Sequence, residues 1–246
     1  MQTNPQTLMV IMPFYNSENT LSDAIESVLN QSYKNLRLIM INDCSTDRSL
    51  AIAQDYLKDE RVTVVSNSKN RGAYYSRNVG LHLIKDLTWG YFTTHDADDI
   101  SFKNRYITLI QSLKKHKNTV AVQDRFQRVD LYTNKIIREH VTFAHALFVK
   151  SIFKEVGYFD NVRFGADWDH WERVLAFSKS RGFSHLTIDV LMGKSFVHEN
   201  NLTVKIPGKS KARRSYMARS RQKHKRMAVV RNWYYDFQFF SKELIA

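Results

Sequence analysis

"YFTTHDADDIS", residues 91–101, sets an apolar and β-branched run against three carboxylates in four positions: Asp96, Asp98 and Asp99. An apolar run of this length that stops in a polar loop reads as a buried strand leaving its sheet. Three acids so close repel one another, and a strand end has no need of them. Two carboxylates one residue apart suit a hard divalent cation, Mn2+ or Mg2+, which takes oxygen ligands. A bare D-x-D is also what a helix start can look like, and Asp99 before "ISFKN" is placed to open the next helix.

Three upstream segments share this strand-then-polar-loop form. "LMVIMP" (8–13), "LRLIMIN" (36–42) and "RVTVVSN" (61–67) are short apolar runs, ending in "PFYN", "NDCSTD" and "SNSKNRG". Between them, "SENTLSDAIESVLNQ" spaces Leu21, Ala24, Ile25, Val28 and Leu29 as one helical face, and a further helix is expected over 73–86. Strands alternating with helices predict an α/β fold with a mostly parallel, Rossmann-like sheet and helices on both faces. Ligands of such sheets lie beyond the carboxyl ends of the strands, where all four polar loops converge.

Downstream the pattern is less regular. A helix is expected over 102–116, strands joined by a turn at Thr133-Asn134, a helix in "ALFVKSIFKEVGYFD", a longer one in "GADWDHWERVLAFSKS", and two short strands near 185–190 and 194–198. The chain carries a formal net charge of +13, but eleven of its Lys and Arg fall in residues 205–231, where no acid occurs. The rest is nearly neutral. Cys44 is the single cysteine, so neither an internal disulfide nor a Cys-based metal site is expected. The opening "MQTNPQT" lacks a secretion signal and no run approaches a membrane span. A cytoplasmic place follows, with the inner membrane face as a peripheral station.

Neither GxxxxGK[ST] nor GxGxxG occurs, which excludes the P-loop and dinucleotide-fold readings. The stretch "VIMPFYNSENTLSDAIESVLNQSYKNLRLIMINDCSTD" resembles the opening of family 2 glycosyltransferases of GT-A fold. "NRGAYYSRNVGL", "DADD", "GYFD", "GADWDHWER" and "FVHENNLT" follow in order over residues 8–203. The resemblance implies inverting transfer of a sugar from a nucleotide donor, usually a UDP-sugar, to an acceptor hydroxyl. It implies Pro13 and Tyr15 beside the base, Asp43 on the uracil N3–H, and Arg77 with Asn78 by the sugar-nucleotide. Asp96 falls on the ribose or a metal-bound water, with Asp98 and His198 on the metal. Asn42 stands where the family usually has a second acid, and Ala166 where it has a Glu, so Asp167 is the expected base.

Trp168 and Trp171 are candidate acceptor platforms, and Asp169 a candidate on the acceptor side; the two acids, Asp167 and Asp169, also suit a helix start, and the two rings a core. The implied division is a GT-A domain over 1–204, its nucleotide-binding half about 1–100 and its acceptor half about 101–204, and a basic, helical, aromatic-rich extension over 205–246. That extension suits an anionic membrane surface or a partner domain, and nucleic acid less, for want of interleaved aromatics. Two other classes stand beside this reading. A sugar nucleotidyltransferase would show a Gly-rich basic loop after the first strand, which "PFYNSENT" is not. A non-enzymatic basic adaptor would bind anionic membrane or nucleic acid through 205–231 alone.

Overall fold

The computed structural model describes residues 3–197, 211–230, 232, 234–236 and 244–245. Its first half is built on β1 (Leu8–Phe14), β2 (Leu36–Asn42), β3 (Val62–Asn67) and β4 (Tyr91–Thr94), paired in parallel in the order β3-β2-β1-β4. Every residue of β1 is buried, as a strand covered on both faces must be. Its period of two divides it between two cores: Met9 and Ile11 enter one, Leu8, Val10 and Met12 the other. On the second face lie α1 (Leu21–Leu29), α2 (Ser49–Asp55) and α4 (Arg105–Lys115). On the first lie α3 (Ala73–Ile84), α5 (Lys150–Val156) and α6 (Ala166–Arg181). The Gly80 Cα of α3 sits so close to β1 that a Cβ there would stand 2.6 Å from an Ile11 methyl.

The second half continues the sheet and bends it back over the carboxyl ends of the parallel strands. β8 (Leu147–Val149) runs antiparallel to β4 and to β6 (Thr119–Asp130). A turn containing Asn134 joins β6 to β7 (Ile136–Val141), as expected from Thr133-Asn134. β9 (Ser184–Val197) lies parallel to β6 and antiparallel to β5 (Asp99–Ser101). Arg105 donates to Asp124 through two guanidinium nitrogens at 2.6 and 3.1 Å with both side chains fully buried, tying α4 to β6.

Three expectations are corrected. Asp99 opens the short strand β5 rather than a helix; its partner is Ser195, and α4 starts six residues later. The two short strands near 185–198 are one long β9, bent by register shifts against β6. The helix placed over "ALFVKSIFKEVGYFD" begins only at Lys150, because Leu147–Val149 is drawn into the sheet.

Among the described residues of the tail, Lys211–Val230 is a helix, α7, and Leu244–Ile245 is a strand, β10, antiparallel to the edge strand β3. No helix of the described residues is long and apolar enough to cross a membrane.

Candidate active site

The polar loops at the carboxyl ends of β1 and β4 meet the β6–β7 hairpin around one cavity of about 680 Å³, a size suited to a small-molecule ligand. Pro13 and Tyr15 form part of one wall. Tyr74 and Arg77 of α3, Asp96, Asp98 and Asp99, and Asp167 of α6 line the interior. Arg128, Arg138 and His140 stand on the hairpin side, with Arg213 of α7 at the edge.

Asp96 is ion-paired with the buried Arg77, which holds its carboxyl below the usual range although burial acts the other way. The same guanidinium lies over the Tyr74 ring, 4.9 Å from its centre. Asp99 is buried against His145, whose Nε2 stands 2.6 Å from Oδ2, while His145 Nδ1 donates to the Thr94 carbonyl at 3.1 Å. Burial, with Asp98 and Asp96 nearby, pushes the Asp99 carboxyl up to about 7. His145 Nδ1 must carry a hydrogen to donate to a carbonyl, so a single further proton is shared between Asp99 and Nε2.

One ligand atom each from Asp96, Asp99 and His145 lie within 4.8 Å of one another. With Asp98 half-buried beside them, this oxygen-rich set with one imidazole fits Mn2+ or Mg2+ by its donor chemistry. The expected ligand pair was Asp98 with His198; His198 lies outside the described residues, and the close imidazole is His145. Nothing in "TFAHALF" marks His145 in advance, since it meets Asp99 across 46 positions of chain. His95, next to the acids, points away: it is fully buried, bonded to Ser101 Oγ, and burial holds its ring down to about 3.

Asp167 stands in the first turn of α6 after Gly165, whose φ of +80° makes the turn into the helix. Its Oδ1 accepts the Tyr74 hydroxyl at 2.6 Å. Burial and the neighbouring Asp167 push the Tyr74 phenol up, so it keeps its proton and donates. Tyr74 is the second residue that reading along the chain missed. A chain of contacts thus runs Asp96–Arg77–Tyr74–Asp167 across the cavity. Asn78, the neighbour of Arg77, is buried and exchanges two hydrogen bonds of 2.9 Å with the Phe159 backbone, which fixes α3 to the "GYFD" loop.

Other candidates are placed elsewhere. Asp43 is buried off the cavity and already accepts from Asn67 Nδ2, Arg71 N and Gly72 N, at 2.6 to 2.9 Å; it braces the loop after β3. Trp171 is a core residue against Phe148 and His185. Trp168 and Asp169 face α7 instead of the cavity. Trp168 stacks on His224 with Arg221 over its ring. Asp169 is fully buried, ion-paired with Arg173 at 3.0 Å, and accepts from Ser220 and from His224 Nε2 at 2.9 Å. Burial alone would raise its carboxyl, but His224, Arg173 and Ser220 hold it down to about 2. The physical reason is direction: two residues along a helix turn a side chain about 200° around its axis, so Asp167 and Asp169 cannot share a face.

The tail's aromatics follow the same logic. Tyr235 pairs with the backbone of Val156 and Tyr158, and its ring lies under Arg173 and Lys223. Tyr216 packs on Gly165 and donates to Asp160 at 3.2 Å.

The profile described as glycosyl transferase family 2 matches residues 9–242. Among curated proteins, the putative glycosyltransferase EpsE of Bacillus subtilis (strain 168) is 38% identical over 120 residues, 48% of this chain and 42% of its own. Glycosyltransferase GlyA of Streptococcus pneumoniae is 25% identical over 189 residues, 74% of this chain and 26% of its own. The chain spans less than half the length of either relative. Among solved structures, S. aureus TarS 1–349 in complex with UDP-GlcNAc matches with a TM-score of 0.65 at 17% identity, over 80% of this chain and 60% of that one. The mannosyltransferase PcManGT from Pyrobaculum calidifontis, in complex with GDP-Man and Mn2+, matches at 0.65 and 17%, over 89% and 64%. At such identities the likeness is one of fold, and that fold is GT-A.

Proposed function

Because the chain belongs to glycosyl transferase family 2, we propose that it moves a sugar from a nucleotide donor, a UDP-sugar foremost, to an acceptor hydroxyl with inversion, in surface polysaccharide or glycan synthesis. The observation that carries this reading is the convergence of Pro13, Tyr15, Arg77, Asp96, Asp98 and Asp167, from four separate segments, on one cavity.

Asp167 is the base. Tyr74 occupies its Oδ1, which orients the carboxylate and leaves Oδ2 to take the acceptor proton. Arg77, kept charged by Asp96 although buried, fixes the Tyr74 ring from its other side. Tyr15, exposed on the wall, offers its ring face to the nucleotide base. Asp96 and Asp98, with the Asp99–His145 pair, would hold the divalent cation, which when bound offsets the charge on the departing diphosphate. Asp43 is engaged by three loop donors, so the argument for uridine rests on the family and not on a free carboxylate. Lys211, Arg214, Arg219, Lys225 and Arg226 of α7 are exposed and suit an anionic membrane surface on the cytoplasmic side.

Thermal-shift screening of UDP- and GDP-sugars with and without Mn2+ tests the reading. Stabilisation by a nucleotide-sugar that needs the cation supports it. No response to any nucleotide-sugar, with stabilisation by an unrelated nucleotide independent of metal, sinks it.

A further inference from the structure

One row of strand partners crosses the cavity lining. Arg138 on β7 faces Arg128 on β6, Arg128 faces Ser195 on β9, and Ser195 faces Asp99 on β5. Residues directly opposite on neighbouring strands put their side chains on one face with Cβ atoms about 5 Å apart, and all four line the cavity. The row therefore runs from the acid cluster at one end to two guanidiniums at the other.

Like charges directly opposite weaken a ladder. Among the described residues, three nearby carboxylates are engaged elsewhere: Glu139 and Asp189 pair with Arg125, and Asp130 accepts from Thr133 in the turn. Burial, then Arg138, pulls the Arg128 guanidinium below its ordinary value, Asp99 and Asp98 opposing it and Arg213 adding to it. Two polar atoms beside the pair are also unmet: among the described residues, His140 Nδ1 and Ser195 Oγ are buried without a hydrogen-bond partner. His140 lines the cavity two residues from Arg138, on the same face. A register shift between Arg128 and Val129 marks an irregularity of the kind that re-aims side chains beside sites. Repelling cations and an unmet hydroxyl, held together at an open cavity, describe a place for an anion.

We infer that the β6–β7 hairpin holds a phosphate-binding subsite for the acceptor, so that the acceptor is a phosphate-bearing molecule. The inference rests on glycosyl transfer in this cavity. A phosphate accepts from the forked guanidiniums of Arg128 and Arg138 and from the Ser195 hydroxyl. The donor's diphosphate would have its offsetting charge at a cation on the acid cluster, whereas Arg138 stands three strands along the row from Asp99.

The test titrates the full chain with inorganic phosphate and, separately, with UDP plus Mn2+, at low salt, for the native protein, Arg128→Gln and Arg138→Gln. The native chain should bind phosphate, and either variant should bind it roughly 10- to 100-fold more weakly. UDP affinity should stay within about twofold. The unfolding temperature should hold or rise, because one of two repelling charges is gone. A fall in that temperature together with the loss of phosphate would make the arginines structural and overturn the inference. So would an equal loss of UDP affinity, which would give them to the donor's diphosphate, or the absence of phosphate binding by the native chain. Phosphate binding without UDP binding would support the subsite while sinking the UDP-donor reading it serves. Glycerol phosphate and phosphatidylglycerol vesicles then compete with inorganic phosphate. Displacement by the first supports a water-soluble acceptor, displacement by vesicles alone a lipid-carried one, and displacement by neither overturns the proposal.

Discussion

Asp167 and Asp98 sit in one cavity with different neighbours, and their substitutions separate accordingly. Asp167→Asn keeps the size of the side chain and its contact with Tyr74 but removes the proposed base; transfer should fall about 10²- to 10⁴-fold while UDP binding, followed by calorimetry, is retained. Asp98→Ala should instead abolish the Mn2+-dependent part of UDP binding. Tyr74→Phe removes the hydrogen bond that orients Asp167. Transfer kcat should fall while UDP affinity is kept; an unmoved kcat would show that Tyr74 only fills space. The acids were legible in the sequence because chemistry demands that residue type at a strand end or helix start. Tyr74 and His145 were not, because each reaches its partner through folded space, across 93 and 46 positions.

At the scale of the element, α6 carries the proposed base, Asp167, on one side and an anchor on the other. Asp169 and Arg173 are both fully buried, and Asp169→Ala strands the guanidinium; a loss of about 3–5 kcal/mol in denaturant unfolding is expected. The carboxyl is held at about 2, below its ordinary 3.8. Its stabilising contribution is therefore full above pH 3.8 and lost as pH falls through about 2. Helix periodicity found α1, α3, α4 and α6, since each is a continuous amphipathic or buried run. It failed at β5, where Asp99 looks like a cap but pairs with Ser195, and at Leu147–Val149, three residues that only a neighbouring strand turns into sheet.

For the whole molecule, the compositional break near residue 205 is not a break in packing. Ser220 and His224 reach Asp169, Tyr216 reaches Asp160, and β10 pairs with β3. A chain ending at residue 204 should unfold at a markedly lower temperature than the full one, by calorimetry; equal stability would mean that α7 is a mere appendage. His170 adds an acid sensitivity. It is fully buried on Phe159 and Phe148, and burial with Arg173 lowers its ring from 6.5 to about 3. Between those values the unfolded chain binds a proton that the native one refuses. Stability should thus fall as pH drops from 6.5 toward 3, by up to about 1.4 kcal/mol per pH unit. His170→Asn should flatten that slope.

The hook of α7 onto Asp169 has a consequence in time. A polypeptide leaves the ribosome from its first residue onward, and the strands that build the nucleotide wall can assemble early. Asp169, two positions from Asp167, keeps two partners that emerge some fifty residues later. The turn that aims Asp167 is therefore secured only some fifty residues after it is made, and a nascent chain would build the wall that carries Pro13 and Tyr15 before it fixes Asp167.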